Sequence, residues 1–297
     1  MTINPLPTYF IAHGGVGVLD LPQKDPYRLQ LLSIGDEIKS LNPKGIIATS
    51  GHFESPYQET IQVNIKEDLD VLYDYFFKHD DPKRYQLKFK HFGDKAIAGD
   101  VVSVLKDKGI PVETVEKDTD HGIWVALKLL FPEEQSELKI PVISVSTFKP
   151  STFKKQVELG EALSSLRNEG FVLIHFGMPV HNIYVGDRNQ SKRVVDSLRN
   201  DSYDPVIQIT NPNYSEDFTK ELEILNTIKD YEEKKKAVIR LENDKESNIY
   251  QAHPTLEHFT PFLAYIGSSL RSDSGYNYKR TKITSNMSFS NFKLESI

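Results

Sequence analysis

The nine histidines are the residues of this chain best suited to chemistry. An imidazole titrates near neutral pH and, when neutral, is a common metal ligand, so the same side chain can move a proton or hold a cation. The chain has no cysteine, which excludes disulfides and thiolate metal sites. Any bound metal must be held by His, Asp, Glu or water. The settings of the histidines differ. His13 follows the apolar run Tyr9 to Ala12 and precedes Gly14 and Gly15. His52 closes the run that begins at Gly45, inside Ser50-Gly51-His52. His181 lies five residues after Phe176, in Met178-Pro179-Val180-His181-Asn182. One histidine at a strand end is more often a hydrogen-bonded structural residue than a ligand. Three at successive strand ends favour a shared cation, and Gly14, Gly15 and Gly51 leave room for a substrate or a close backbone approach.

The remaining histidines divide. His121 stands in Asp118-Thr119-Asp120-His121-Gly122-Ile123-Trp124, at the start of a predicted helix that Asp120 could cap. Proton transfer suits it, and packing beside Trp124, the only tryptophan, is an equal alternative. His253 and His258 fall in Ala252-His253-Pro254-Thr255-Leu256-Glu257-His258. On a helix they would be about 140° apart, so they cannot face one point. Glu257 would share the face of His253. One of Glu257 and His258 is therefore expected to reach the site, and spacing leaves open which. His79 and His91 read as surface residues in a polar insertion. His175 reads as a satisfied core residue within a strand.

These side chains must be positioned by the elements around them. Strand-like runs at Tyr9 to Ala12, Gly45 to Ser50, Thr60 to Ile65, Val112 to Val115, Pro141 to Ser146 and Phe171 to Phe176 alternate with helical patterns. The helical patterns cover Tyr27 to Leu41, Lys95 to Lys108, His121 to Phe131, and Ser151 to Asn168 with Ser151 or Thr152 as N-cap. Asp68 to Lys90, with Tyr73, Tyr75, Phe76 and Phe77, reads as an insertion over the sheet edge. Ser191 to Asn248 reads as charged and helical, with Glu232 to Lys236 on a solvated face. Pro254 to Leu270 reads as one further helix, and Thr281 to Phe292 as an edge strand. The pattern predicts an α/β fold: one domain over residues 1–297, with a central, mostly parallel or mixed sheet flanked by helices. In such sheets ligands bind outside the carboxyl ends of the strands, which is where His13, His52 and His181 fall.

Composition narrows the class. Hydrophobic residues make up 38% and charged residues 26%, enough for a globular core. The net charge of −6 argues against nucleic-acid binding, which needs a basic face. No apolar run reaches the ~18 residues of a membrane span, and Met1 to Pro7 does not read as a secretory signal. A cytoplasmic protein is expected, with a nuclear share compatible.

In order, His13-Gly14-Gly15, Ser50-Gly51-His52-Phe53, Asp120-His121-Gly122-Ile123-Trp124, Val180-His181-Asn182 and the stretch Ala252 to His258 resemble the successive motifs of one family. It is the DODA-type extradiol aromatic ring-opening dioxygenases, the class III, LigB-like enzymes that include 4,5-DOPA dioxygenases. The resemblance implies a single α/β domain and oxygen-dependent cleavage of a catechol ring. It implies one divalent metal, iron(II) or zinc, held by His13, His52 and His258, with His181 as a further ligand or acid/base. It implies a proton-handling or substrate-contacting His121, and a small catechol and O₂ as partners. The chain departs from the family pattern at Gly15-Val16, at Gly51 and Phe53, and over His175 to Pro179, which alters the pocket and leaves the substrate open. Two other readings are a zinc-dependent hydrolase, with Glu257 or His121 as base, and a non-catalytic metal-binding relative whose pocket is blocked by Phe176 or Met178.

Overall fold

Alternate side chains of the buried strands enter two different cores. Tyr9 and Ile11, Ile46 and Ala48, and Val172, Ile174 and Phe176 join one apolar cluster. Ile47, Phe171, Leu173, Ile143 and Val145 join another, on the opposite face, and Phe10 joins a third. This two-residue period is that of a pleated strand covered on both sides. The computed structural model describes residues 4–73, 82–132, 138–149, 151–184, 210–284 and 286–297. The expectations for His79, for Tyr75 to Phe77 and for the chain from Ser191 to Ile209 lie outside these residues.

The chain runs β1 (Thr8–Ala12), α1 (Pro26–Ser40), β2 (Gly45–Glu54), β3 (Ile61–Asn64), β4 (Asp68–Leu69), β5 (His91–Phe92), α2 (Lys95–Asp107) and β6 (Val112–Val115). It continues with α3 (His121–Leu130), β7 (Val142–Thr147), α4 (Phe153–Leu163), β8 (Phe171–Gly177) and β9 (Val180–His181). The last part holds α5 (Tyr214–Asn226), α6 (Tyr231–Arg240), α7 (Ile249–Ala252), α8 (Thr260–Gly267), β10 (Asp273–Asn277), β11 (Met287–Ser288) and β12 (Phe292–Ser296). The main sheet has eight strands in the order β10-β12-β1-β8-β2-β7-β3-β6. Its centre is parallel, β1 with β8, β8 with β2 and β2 with β7. The antiparallel pairs β1–β12, β10–β12 and β3–β7 make it mixed. Helices α1 and α3 supply Leu31, Ile34, Ile38, Ile123 and Leu127 to one face, and α2 and α4 supply Val101, Leu105, Leu159 and Leu163 to the other.

Five expectations need correction. Residues 253–259 are not helical: His253, before Pro254, is extended at φ −135° and ends α7, and the next helix starts only at Thr260 with Pro261 in its first turn. A residue before proline is pushed out of the helical region, which is the physical reason. The helix from Phe153 is capped by Thr152, but it gives way to a 3₁₀ turn over Ser164–Glu169 rather than continuing to Asn168. Thr281 to Phe292 is not one strand: among its described residues β11 pairs with β9 in a two-stranded sheet, and the strand that joins the main sheet, β12, begins only at Phe292 and lies buried between β10 and β1. His91 is buried rather than superficial; its Nε2 bonds Thr119 Oγ1 at 2.6 Å and its Nδ1 bonds the Phe89 carbonyl at 3.0 Å. Lys234 is buried although Glu233 and Lys236 beside it are exposed, because α6 packs against α4 and α8 and this position lies on its inward side.

Candidate metal centre

The sheet order explains how histidines far apart in the chain meet. β1, β8 and β2 are neighbours and parallel, so their carboxyl ends lie side by side. His13 leaves β1 with its N–H bonded to the Gly177 carbonyl at the end of β8, 3.1 Å away. Gly14, at φ +61°, turns the chain there in the left-handed region that glycine tolerates. His52 sits where the pairing of β2 with β7 shifts register between Thr49 and Glu54. Such irregular strand ends re-aim side chains. His181 closes β9, which pairs with β11 so that Met287 stands opposite His181.

The segment that carries His258 is held against these strands. The Met178 N–H donates to the His258 carbonyl at 3.0 Å, and one ring nitrogen of His253, Nε2, bonds the Pro179 carbonyl at 2.9 Å. Asn182 Nδ2 donates to the Gln251 carbonyl at 2.6 Å. A Cβ on Gly51 would stand 2.9 Å from the Glu257 carbonyl oxygen, so glycine is what lets β2 touch this segment. Of the three glycines expected to leave room, Gly51 serves this close approach, while Gly15 faces open space.

Five imidazoles converge as a result. Ring centroids are 5.1 Å apart for His13 and His52, 5.1 Å for His13 and His258, and 4.7 Å for His52 and His258. His121 lies 3.8 Å from His52, and His181 stacks on His258 at 3.6 Å. The Nε2 atoms of His52 and His258 are 3.1 Å apart. Loss of hydration, and then the neighbouring imidazoles, hold His52, His181 and His258 well below the ordinary histidine pKa. They are therefore neutral at pH 7 and carry nitrogen lone pairs.

This donor set fits a divalent metal ion. Ligand atoms of His13, His52 and His121 lie within 4.8 Å of one another, as do those of His181, Glu257 and His258. Two nitrogens that share one tetrahedral ion at ~2.1 Å stand about 3.4 Å apart, close to the separation of the His52 and His258 nitrogens. His181 Nδ1 is buried with no hydrogen-bond partner among the described residues.

Other side chains support the cluster. Asp120 caps α3 through Ile123 N, and its Oδ1 accepts the Ser50 hydroxyl at 2.7 Å. Ser50 Oγ in turn accepts from His52 N at 3.1 Å, which ties the His121 helix to the His52 strand end. His175 takes no part in the cluster: it is buried in the sheet with Nδ1 2.9 Å from Thr49 Oγ1. Phe176 and Met178 pack into the apolar core. The Ser50–Asp120 bond and the hold of His253 on Pro179 are missing from the sequence reading, because nothing local relates residues so far apart. A hydroxyl beside a strand-end histidine was the only available hint.

Comparisons with known proteins agree with this architecture. Residues 7–287 match the model of the catalytic LigB subunit of aromatic ring-opening dioxygenase. The chain is 31% identical over 268 residues to a 4,5-DOPA dioxygenase extradiol-like protein of Schizosaccharomyces pombe, covering 87% of this chain and 76% of that one. It is 28% identical over 264 residues to the 4,5-DOPA dioxygenase extradiol of Beta vulgaris, covering 88% and 86%. The crystal structure of an uncharacterised Escherichia coli K12 protein superposes with a TM-score of 0.69 at 20% identity, over 97% of this chain and 99% of that one, a likeness of fold. The chain belongs to the LigB family of aromatic ring-opening dioxygenases. Among the described residues no helix is long and apolar enough to cross a membrane.

Proposed function

We propose that this chain is a metal-dependent extradiol dioxygenase that opens a small catechol-type ring with O₂, and that residues 1–297 form its single catalytic domain. The observation that carries the reading is the convergence of five imidazoles at the carboxyl ends of β1, β2 and β8 in a member of this family. His13, His52 and His258 hold the ion, with His181 as a further ligand or as the group that handles the proton. A bound iron(II) or zinc would supply positive charge to offset a catecholate anion, and iron(II) would add reactivity toward O₂. The chain supplies the rest. His121, at the head of α3 and against His52, is placed to contact the substrate and to take a catechol proton and return it. His181 has its Nδ1 open for the same service. The closely packed imidazoles and their support from Ser50, Asp120 and His253 fix these groups before substrate arrives, which is what preorganised catalysis requires.

The test is O₂ uptake and formation of a yellow ring-opened product by iron(II)-loaded protein over a panel of catechols. Uptake with one catechol and its loss in His13→Ala is expected. Full iron loading with no uptake on any catechol would remove the reading, and turnover with zinc in the absence of O₂ would replace it with hydrolysis.

A further inference from the structure

We propose that Glu257 is a positioning residue for this centre: its carboxylate holds the Nδ1–H of His258, turns Nε2 toward the ion, and does not itself ligate. The inference rests on the metal-centre reading above and settles which of two adjacent residues reaches the metal. Spacing left that choice open because it assumed a helix, and residues 253–259 form none.

The geometry separates the two roles. Glu257 Oε1 lies 3.1 Å from His258 Nδ1. The same oxygen accepts the Thr255 hydroxyl at 2.9 Å. The oxygen that accepts from the Thr255 hydroxyl serves the ring as an acceptor too, which puts the proton of the His258 contact on Nδ1 and the lone pair on Nε2. Nε2 is the nitrogen that stands 3.1 Å from His52 Nε2, on the side of the cluster. The two ring nitrogens face away from each other. An oxygen bonded to Nδ1 therefore lies on the order of 6 Å from an ion held ~2.1 Å beyond Nε2, too far to bind it. Metal-binding histidines commonly donate their second N–H to a carboxylate, which fixes tautomer and ring orientation.

The backbone of Glu257 is held in place as well. Thr260 Oγ1 donates to the Glu257 carbonyl at 3.0 Å, and the lack of a Cβ at Gly51 lets β2 pass close to that carbonyl. The rival role is direct ligation, since a Glu257 oxygen lies within 4.8 Å of ligand nitrogens of His181 and His258. The experiment must tell the two apart.

The full-length chain is compared with Glu257→Ala, Glu257→Gln and His258→Ala by three measurements. These are zinc affinity by competition with a chromophoric chelator, the absorption spectrum of the cobalt(II) form, and the ¹⁵N NMR tautomer of His258 in metal-free protein. The expected results are an Nδ1–H tautomer in the native chain and zinc binding about 10- to 100-fold weaker in Glu257→Ala. Glu257→Gln, whose amide oxygen still accepts from Nδ1, should recover most of the affinity and keep the native cobalt spectrum. His258→Ala should change that spectrum. A cobalt spectrum altered by Glu257→Gln would make Glu257 a ligand and overturn the proposal. Native zinc affinity and native tautomer in Glu257→Ala would overturn it as well. If the native chain bound neither metal, the metal-centre reading would fall and this inference with it. That outcome is distinct from a native chain that binds metal indifferently to Glu257.

Discussion

The two ends of the central sheet bury polar groups in opposite ways. Before the amino ends of β1 and β8, Arg167 is fully buried and fully answered: Nη1 and Nη2 reach both oxygens of Asp273 at 2.5 and 2.9 Å. Its Nε bonds the Leu6 carbonyl at 2.6 Å, and Nη1 also bonds the Ser268 carbonyl at 2.9 Å. Donors and acceptors match, and the chain completes the set by itself. At the carboxyl ends of the same strands, five imidazoles face one another, three of them held neutral by lost hydration and by each other. Like groups converge there, and a cation would draw their lone pairs to one point. A buried polar set that closes on itself supports the fold, whereas one that converges without closing is available for function.

Substitutions can break this contrast. The largest effect is expected from Arg167→Ala, which strands Asp273 as a buried charge. It should cost about 3–5 kcal/mol in urea unfolding while the zinc affinity of the remaining folded protein stays native. Near-native stability would show that the amino-end set is dispensable. At the other end, zinc at 100 times its Kd should stabilise the native chain by about 2.7 kcal/mol. His52→Ala should abolish that zinc-dependent shift in melting temperature, and a shift that persists would remove His52 from the centre.

Two titrations sharpen the comparison between the ends. His175, in the sheet between them, is lowered to about 3 by burial, then by the charge of Arg167. Its folded pKa is depressed, so the unfolded chain binds the extra proton. Stability should fall as pH drops below 6.5 toward 3, by about 1.4 kcal/mol per pH unit for this one group. Denaturant midpoints in His175→Gln at pH 7, 6 and 5 should decline less steeply than in the native chain, and equal slopes would refute the assignment. The smallest effect is expected at the amino end. Lys234 is lowered to about 8 by burial, against the pull of Asp273. Its charge opposes folding below pH 8, and the penalty is relieved as pH rises from 8 to 10.5, where only the unfolded chain keeps the proton. Lys234→Met should therefore gain about 1 kcal/mol at pH 7, and the gain should vanish by pH 10.5. A constant gain across that range would mean that packing, not charge, is responsible.

Local pattern was legible wherever it had a local cause. The strands at β1, β7 and β8 and the helices α1 to α3 follow from runs and spacings that the structure keeps within one or two residues, whereas β2 runs four residues past its expected end at Ser50 and takes in His52. The Asp120 cap and the Thr152 cap follow the same rule. The reading failed where distant packing decides. Polar neighbours in the chain point His91 to the surface, but Thr119 and Phe89 bond both of its ring nitrogens inside the fold. The charged run around Lys234 points to a solvated face, yet this position of the helix turns inward with Val238. The stretch Pro254 to His258 has helical composition, but proline at one end and the hold of Met178 and Pro179 on it keep it in bends and turns.

By itself, the sequence determined that imidazoles stand where strands stop, because strand periodicity and its termination are properties of neighbouring residues. Which of those imidazoles meet was decided only by tertiary structure. The order β1-β8-β2 sets three carboxyl ends side by side, and a non-helical segment far along the chain brings His258 across them. Contact between residues 206 positions apart depends on how the sheet is assembled, and no local spacing carries that information.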